Sequence, residues 1–160
     1  MATGLQNYIV KETTDGTTVN TLVETITSSN LISANTVVVG DILTLFARVK
    51  RTTTTVTLFT TKVYLNTSSS LSGATLIATN TLTSTAVNTV DFGRIFVVKS
   101  ATNTQGFNAS TYTNFPRYQT PTSLTNSNID WTVNQYLIIS ITLSSASEVA
   151  LSSGCLLLKD

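Results

Sequence analysis

Across residues 42–50 the apolar side chains return at every second position. Leu43, Leu45, Ala47 and Val49 fall on one side, while Thr44, Arg48 and Lys50 fall on the other together with Ile42 and Phe46. A repeat of two belongs to a β-strand, and one polar-rich face marks a strand half buried in a sheet. The repeat returns in residues 56–66, where Leu58, Thr60, Lys62 and Tyr64 lie opposite Phe59, Thr61, Val63 and Leu65. With residues 51–55 as a turn, the two stretches read as a strand and its partner. No segment sustains the 3.6-residue repeat of a helix.

The rest of the chain follows the same grammar. Residues 8–10 and 19–26 have strand character, and Asp15 with Gly16 between them is a hairpin signal. Residues 1–30 are therefore expected to form a first hairpin or an N-terminal arm that docks on a neighbour. Thr36, Val37, Val38 and Val39 read as a strand stopped by Gly40 and Asp41. A Ser-rich loop at 67–73 leads to strands at 74–83 and 86–100. A strongly apolar strand at 137–143, a turn at 144–147 and a last strand at 149–159 close the sequence.

Residues 101–128 differ. This stretch is polar, holds both prolines, Pro116 and Pro121, and strings out Phe107, Tyr112, Phe115 and Tyr118. It is far longer than the ~4–6 residues of an ordinary connection, and excursions of that length are usually functional or interfacial. The whole gives about eight strands with frequent turn signals, the pattern of a sandwich or barrel. The expected fold is all-β, an antiparallel β-sandwich of jelly-roll-like form, in one domain spanning 1–160.

Composition agrees. Thr occurs 33 times, Ser 18 and Asn 13, and β-branched Thr suits a pleated, half-buried surface while Asn and Ser favour turns. Only 11% of residues are charged, against roughly 25% in ordinary soluble domains. The net charge of +1 excludes a strongly basic nucleic-acid binder. A charge-poor surface resists self-association weakly, which suits a subunit of an assembly. No apolar run approaches the ~20 residues that cross a bilayer, and Met1 is followed by Ala, Thr and Gly rather than by a secretory leader. Synthesis in the cytoplasm and no membrane insertion are the expectations. Asn66-Thr67-Ser68 and Asn108-Ala109-Ser110 match the glycosylation acceptor pattern, as chance allows in so Asn- and Ser-rich a chain.

Catalytic chemistry has little to work with. The chain has no His, hence no imidazole base or metal ligand. Cys155 is the sole cysteine, so no internal disulfide can form, and beside Leu156, Leu157 and Leu158 it reads as a buried small hydrophobe. Asp91 and Asp130, next to Phe92 and Trp131, are the best candidates for a glycosidase pair, which needs carboxyls roughly 5–9 Å apart; capping of local backbone donors is the plainer role. There is no Gly-rich phosphate loop, and Lys50-Arg51 is the one basic doublet. No enzyme, cofactor, metal site or nucleic-acid partner is expected. Trp131 could stack on a sugar ring, pack in the core or anchor an interface.

Three stretches carry a resemblance. The run Ile32-Ser33-Ala34-Asn35-Thr36-Val37-Val38-Val39-Gly40-Asp41-Ile42-Leu43 resembles an opening found in tailed-phage virion proteins. The run Ile129-Asp130-Trp131-Thr132-Val133-Asn134-Gln135-Tyr136-Leu137 is similar to that family's approach to its last strand pair, and residues 155–159 are similar to its closing strand. The likeness covers roughly residues 30–160. It implies a β-sandwich in a head fibre, capsid decoration or tail-fibre tip, often trimeric, and transfers no functional residue. The function expected is that of a structural virion protein, packing against its own copies as a homotrimer and against other virion proteins. Phe107, Tyr112, Phe115, Tyr118 and Trp131 are the candidate contacts. The alternative is a tip domain that binds a host receptor or glycan.

Overall fold

The computed structural model describes residues 7–52, 58–82, 88–107, 124–145 and 149–160; the side chains of 92, 105–107 and 124–126 fall outside that description. These residues form ten strands: β1 (Asn7–Glu12), β2 (Thr25–Ile32), β3 (Ile42–Arg51), β4 (Phe59–Asn66), β5 (Thr75–Thr81), β6 (Thr89–Ser100), β7 (Asn103–Phe107), β8 (Leu124–Ser127), β9 (Gln135–Leu143) and β10 (Ala150–Lys159). There is no helix among them. One sheet runs β1-β10-β3-β6-β7-β8 and the other β2-β9-β4-β5.

All neighbours are antiparallel, and β1 pairs β10, β2 pairs β9, β3 pairs β6 and β4 pairs β5. The chain thus forms a long ribbon whose two arms alternate between the sheets. The β10–β3 and β9–β4 ladders then roll it up. That is the strand order of a jelly roll. The two strands beyond the expected eight, β7 and β8, come from the polar 101–128 stretch and widen the first sheet past β6.

The face assignments hold. Leu43, Leu45, Ala47 and Val49 are all buried, as are Phe59, Val63 and Leu65 of β4 and Leu137, Ile139 and Ile141 of β9. Together they fill one core between the sheets.

Two pairings and one strand expected from sequence differ. β3 and β4 are not partners: they lie in opposite sheets, with their apolar faces turned toward each other across the core. Period two fixes which face is buried, and a sandwich satisfies that as well as a hairpin does.

The second strand falls at Thr25–Ile32 rather than at 19–26, where Val19 makes a lone bridge to Ala150, and β1 and β2 likewise sit in different sheets. A two-residue hairpin turn needs positive φ, and among the described residues only Asn35, Gly40, Gly73 and Gly154 have it. Gly16 serves close approach instead. Its N–H donates to the Ser152 carbonyl at 2.8 Å, Thr17 N donates to Thr27 O at 2.7 Å, and Val19, buried, bridges to Ala150.

Residues 36–39 form a loop, not a strand. Asn35 (φ 60°) and Gly40 (φ 95°) break extended backbone on both sides. The Asp41 carboxylate accepts the Val38 N–H at 2.7 Å, and Lys159 donates to the Thr36 carbonyl at 2.9 Å. Only Val37 of the three valines is buried.

Candidate interface surface

The outer faces of the two sheets are unlike. Over the four-stranded sheet the segment preceding β2 folds back so that Glu24 sits on the strands. Its carboxylate accepts hydrogen bonds from Ser140 (2.6 Å), Tyr64 (2.8 Å) and Lys62 (2.9 Å). Partial burial pushes the Glu24 pKa up, but these bonds and the Lys62 charge outweigh it and hold the carboxyl below its ordinary value. Ile138 and Ser140 alternate with the core positions of β9 and yet are fully buried. Both sides of that strand are therefore covered.

The six-stranded sheet shows solvent a different face. Its outward positions on β1, β10, β3 and β6 meet in register: Tyr8 opposite Leu158, Leu158 opposite Thr44, Thr44 opposite Ile95. A parallel row runs from Lys11 through Leu156 and Phe46 to Gly93, and Ile42 stands opposite Val97. Tyr8, Ile42 and Ile95 are 44%, 42% and 40% exposed, so this is an apolar surface in contact with water. Lys11 places its ammonium 5.2 Å from the centre of the Tyr8 ring. A shallow concavity of about 700 Å³ lies over the rows, walled by Tyr8, Lys11, Phe46, Arg48 and Leu158. At its margin Arg48 holds Asp91 through two hydrogen bonds of 2.6 and 2.7 Å. Hydrogen bonding and charge raise the Arg48 pKa and lower that of Asp91.

The residues singled out from sequence are placed otherwise. Trp131 is only 3% exposed and belongs to the core. Its indole N–H donates to Thr104 Oγ1 at 2.8 Å. It cannot stack on a sugar or anchor a contact from there, because the ring is already enclosed by its own chain. The backbone of Phe107 ends β7; its side chain and the whole of Tyr112, Phe115 and Tyr118 lie outside the described residues. The surface residues Tyr8, Ile42, Phe46, Ile95, Leu156 and Leu158 were not singled out. Their one signal was the presence of Ile42 and Phe46 on the otherwise polar side of the 42–50 alternation.

The carboxylate pair also separates. Asp91 lies near the start of β6, whereas Trp131 N, adjacent to Asp130, donates to the Ala101 carbonyl just past the end of that strand. Ten residues of extended chain put the two acids roughly 30 Å apart. Asp130 caps its own loop, accepting from Thr132 N at 2.9 Å and Thr132 Oγ1 at 2.6 Å, which lowers its pKa. Cys155 is buried, and burial first, then the charge of Glu12, pushes its thiol up to about 12. It is a core atom rather than a nucleophile. Asn66, the first glycosylation match, is 9% exposed and spends its amide on the 67–73 loop. Among the described residues no group of His, Cys, Asp and Glu could hold a metal ion, and no helix is long and apolar enough to cross a membrane. Comparison with protein-family models, curated proteins and solved structures finds no match to the chain.

Proposed function

We propose that the chain is a non-enzymatic structural protein of a tailed-phage virion, a head fibre, capsid decoration or tail component. It acts by packing copies of itself, as a trimer, through the outer face of the six-stranded sheet. The observation that carries the reading is the apolar surface spread in register over β1, β10, β3 and β6. Contiguous exposed apolar area of this kind marks interaction surfaces, whereas scattered apolar residues do not. The jelly-roll order is shared with viral capsid domains, although folds of this type host many functions. The sequence resemblance supplies the virion context.

Solution mass measurement and binding to purified virions test the proposal. A trimer that binds particles is expected, with Ile95→Lys and Leu158→Lys shifting it toward monomer. A wild-type monomer that leaves virions bare overturns the reading. The receptor- or glycan-binding alternative loses Trp131 as its contact.

A further inference from the structure

Near the β5 margin of the sandwich three polar side chains turn inward. Thr61 and Asn80 are register partners across β4 and β5. Each alternates with buried apolar neighbours, Phe59 and Val63 of β4 for one, Ala78 of β5 and Leu82 just past its end for the other. Arg94 enters from the opposite sheet, on the side of β6 that also buries Val90, Phe96 and Val98. Its Nη2 reaches the carbonyl of Thr79, the residue before Asn80, at 3.4 Å, and its Nη1 donates to the Gly93 carbonyl at 2.6 Å.

All three are at least nine-tenths buried: Thr61 is 1% exposed, Asn80 2% and Arg94 2%. Yet Thr61 Oγ1, both amide atoms of Asn80 and Arg94 Nε have no hydrogen-bond partner. Among the described residues no carboxylate pairs with Arg94. Burial lowers its pKa without any opposing charge to restore it, but a guanidinium stays protonated in a protein. Buried polar groups are nearly always satisfied, and an uncompensated buried charge is more costly still. Water could serve Thr61 and Asn80, but it would leave the charge unanswered. Nε–H, the Asn80 amide and the Thr61 hydroxyl are all donors. An anion between Arg94 Nε, Asn80 Nδ2 and Thr61 Oγ1 would accept from these three donors and neutralise the cation, leaving the Asn80 carbonyl oxygen, an acceptor, to water.

We propose that Arg94, Asn80 and Thr61 hold a small monovalent anion of the halide class, chloride, inside the sandwich. The anion is structural: it completes the core at the end where β5 meets β6.

Two experiments on the full chain decide it. Crystals grown in sodium bromide, with anomalous data collected at the bromine edge, should show a peak within hydrogen-bonding reach of Arg94 Nε and Asn80; density for water alone, or none, overturns the proposal. In solution, replacing gluconate by chloride at constant ionic strength should raise the thermal midpoint progressively, as binding to the folded state alone requires. Because Arg94 variants can fail to fold, Asn80→Asp is the informative substitution. It places a carboxylate beside the guanidinium, so both the bromide peak and the chloride dependence should vanish while the fold persists. A chloride response undiminished in Asn80→Asp means the ion acts elsewhere and refutes the site.

Discussion

Glu24 collects three donors from two strands of one sheet, and its depressed pKa gives that contact a pH signature. Above the ordinary carboxylate value of 4.5 its contribution to stability is complete. As pH falls through the lower folded-state value the contribution disappears, because the unfolded chain takes up the proton first. Glu24→Gln is expected to lower stability by about 1–2 kcal/mol at neutral pH, the screened range for such bonds. It should also flatten the acid limb of a plot of thermal midpoint against pH. Gly16 offers a second test at this scale. A methyl group there would overlap the Thr27 carbonyl oxygen and come within 2.9 Å of Thr27 Oγ1, so backbone must move. Gly16→Ala should cost about 1–3 kcal/mol, the range for overpacking, measured by urea unfolding. Neither role was legible in the sequence. Glycine after aspartate has the same letters whether it turns a hairpin or lets two backbones touch, and an isolated Glu does not announce what folds beneath it. Cys155 was legible because the three leucines that follow it leave a thiol little but burial.

At the level of elements, most strands and their buried faces could be read, and their partners could not. Alternation tells which side of β3 is apolar; it carries no information on whether β4 or β10 lies alongside. The valine run at 36–39 misled because β-branching favours strands, while the positive φ of Asn35 and Gly40 is a local veto that outranks it. The 67–73 loop is legible from its serines, and its organiser is Asn66. The Asn66 amide donates to the carbonyls of Ser70 at 2.7 Å and Ser72 at 3.0 Å, while its oxygen accepts from Thr67 N at 2.9 Å. Asn66→Ala removes these bonds at once. The expected loss is about 1–3 kcal/mol, with faster amide exchange confined to the loop and the ends of β4 and β5.

For the whole molecule, turn spacing was enough to reach a two-sheet sandwich, and the missing His and phosphate loop set the direction of the functional reading. The location of the proposed interface was not legible, because exposure is a property of the assembled sheet. Tyr8, Phe46, Ile95 and Leu158 come from four strands scattered over the chain and become neighbours only through register. Ile95→Lys should leave the stability of the isolated subunit within about 0.5 kcal/mol, as surface changes do, while weakening association. Denaturant unfolding beside sedimentation separates the two effects. The rolled ribbon also governs how the chain can reach its native state. β9 lies between β2 and β4, and β10 lies between β1 and β3, so each sheet has a gap one strand in from its edge until residues from 135 onward arrive. A nascent chain that stops short of them holds unpaired strand edges on both sides of each gap, the surfaces that join other chains most readily. Topologies dominated by such distant pairings fold on the milliseconds-to-seconds scale, and a chain in which β9 and β10 are not yet inserted leaves those edges open to aggregation.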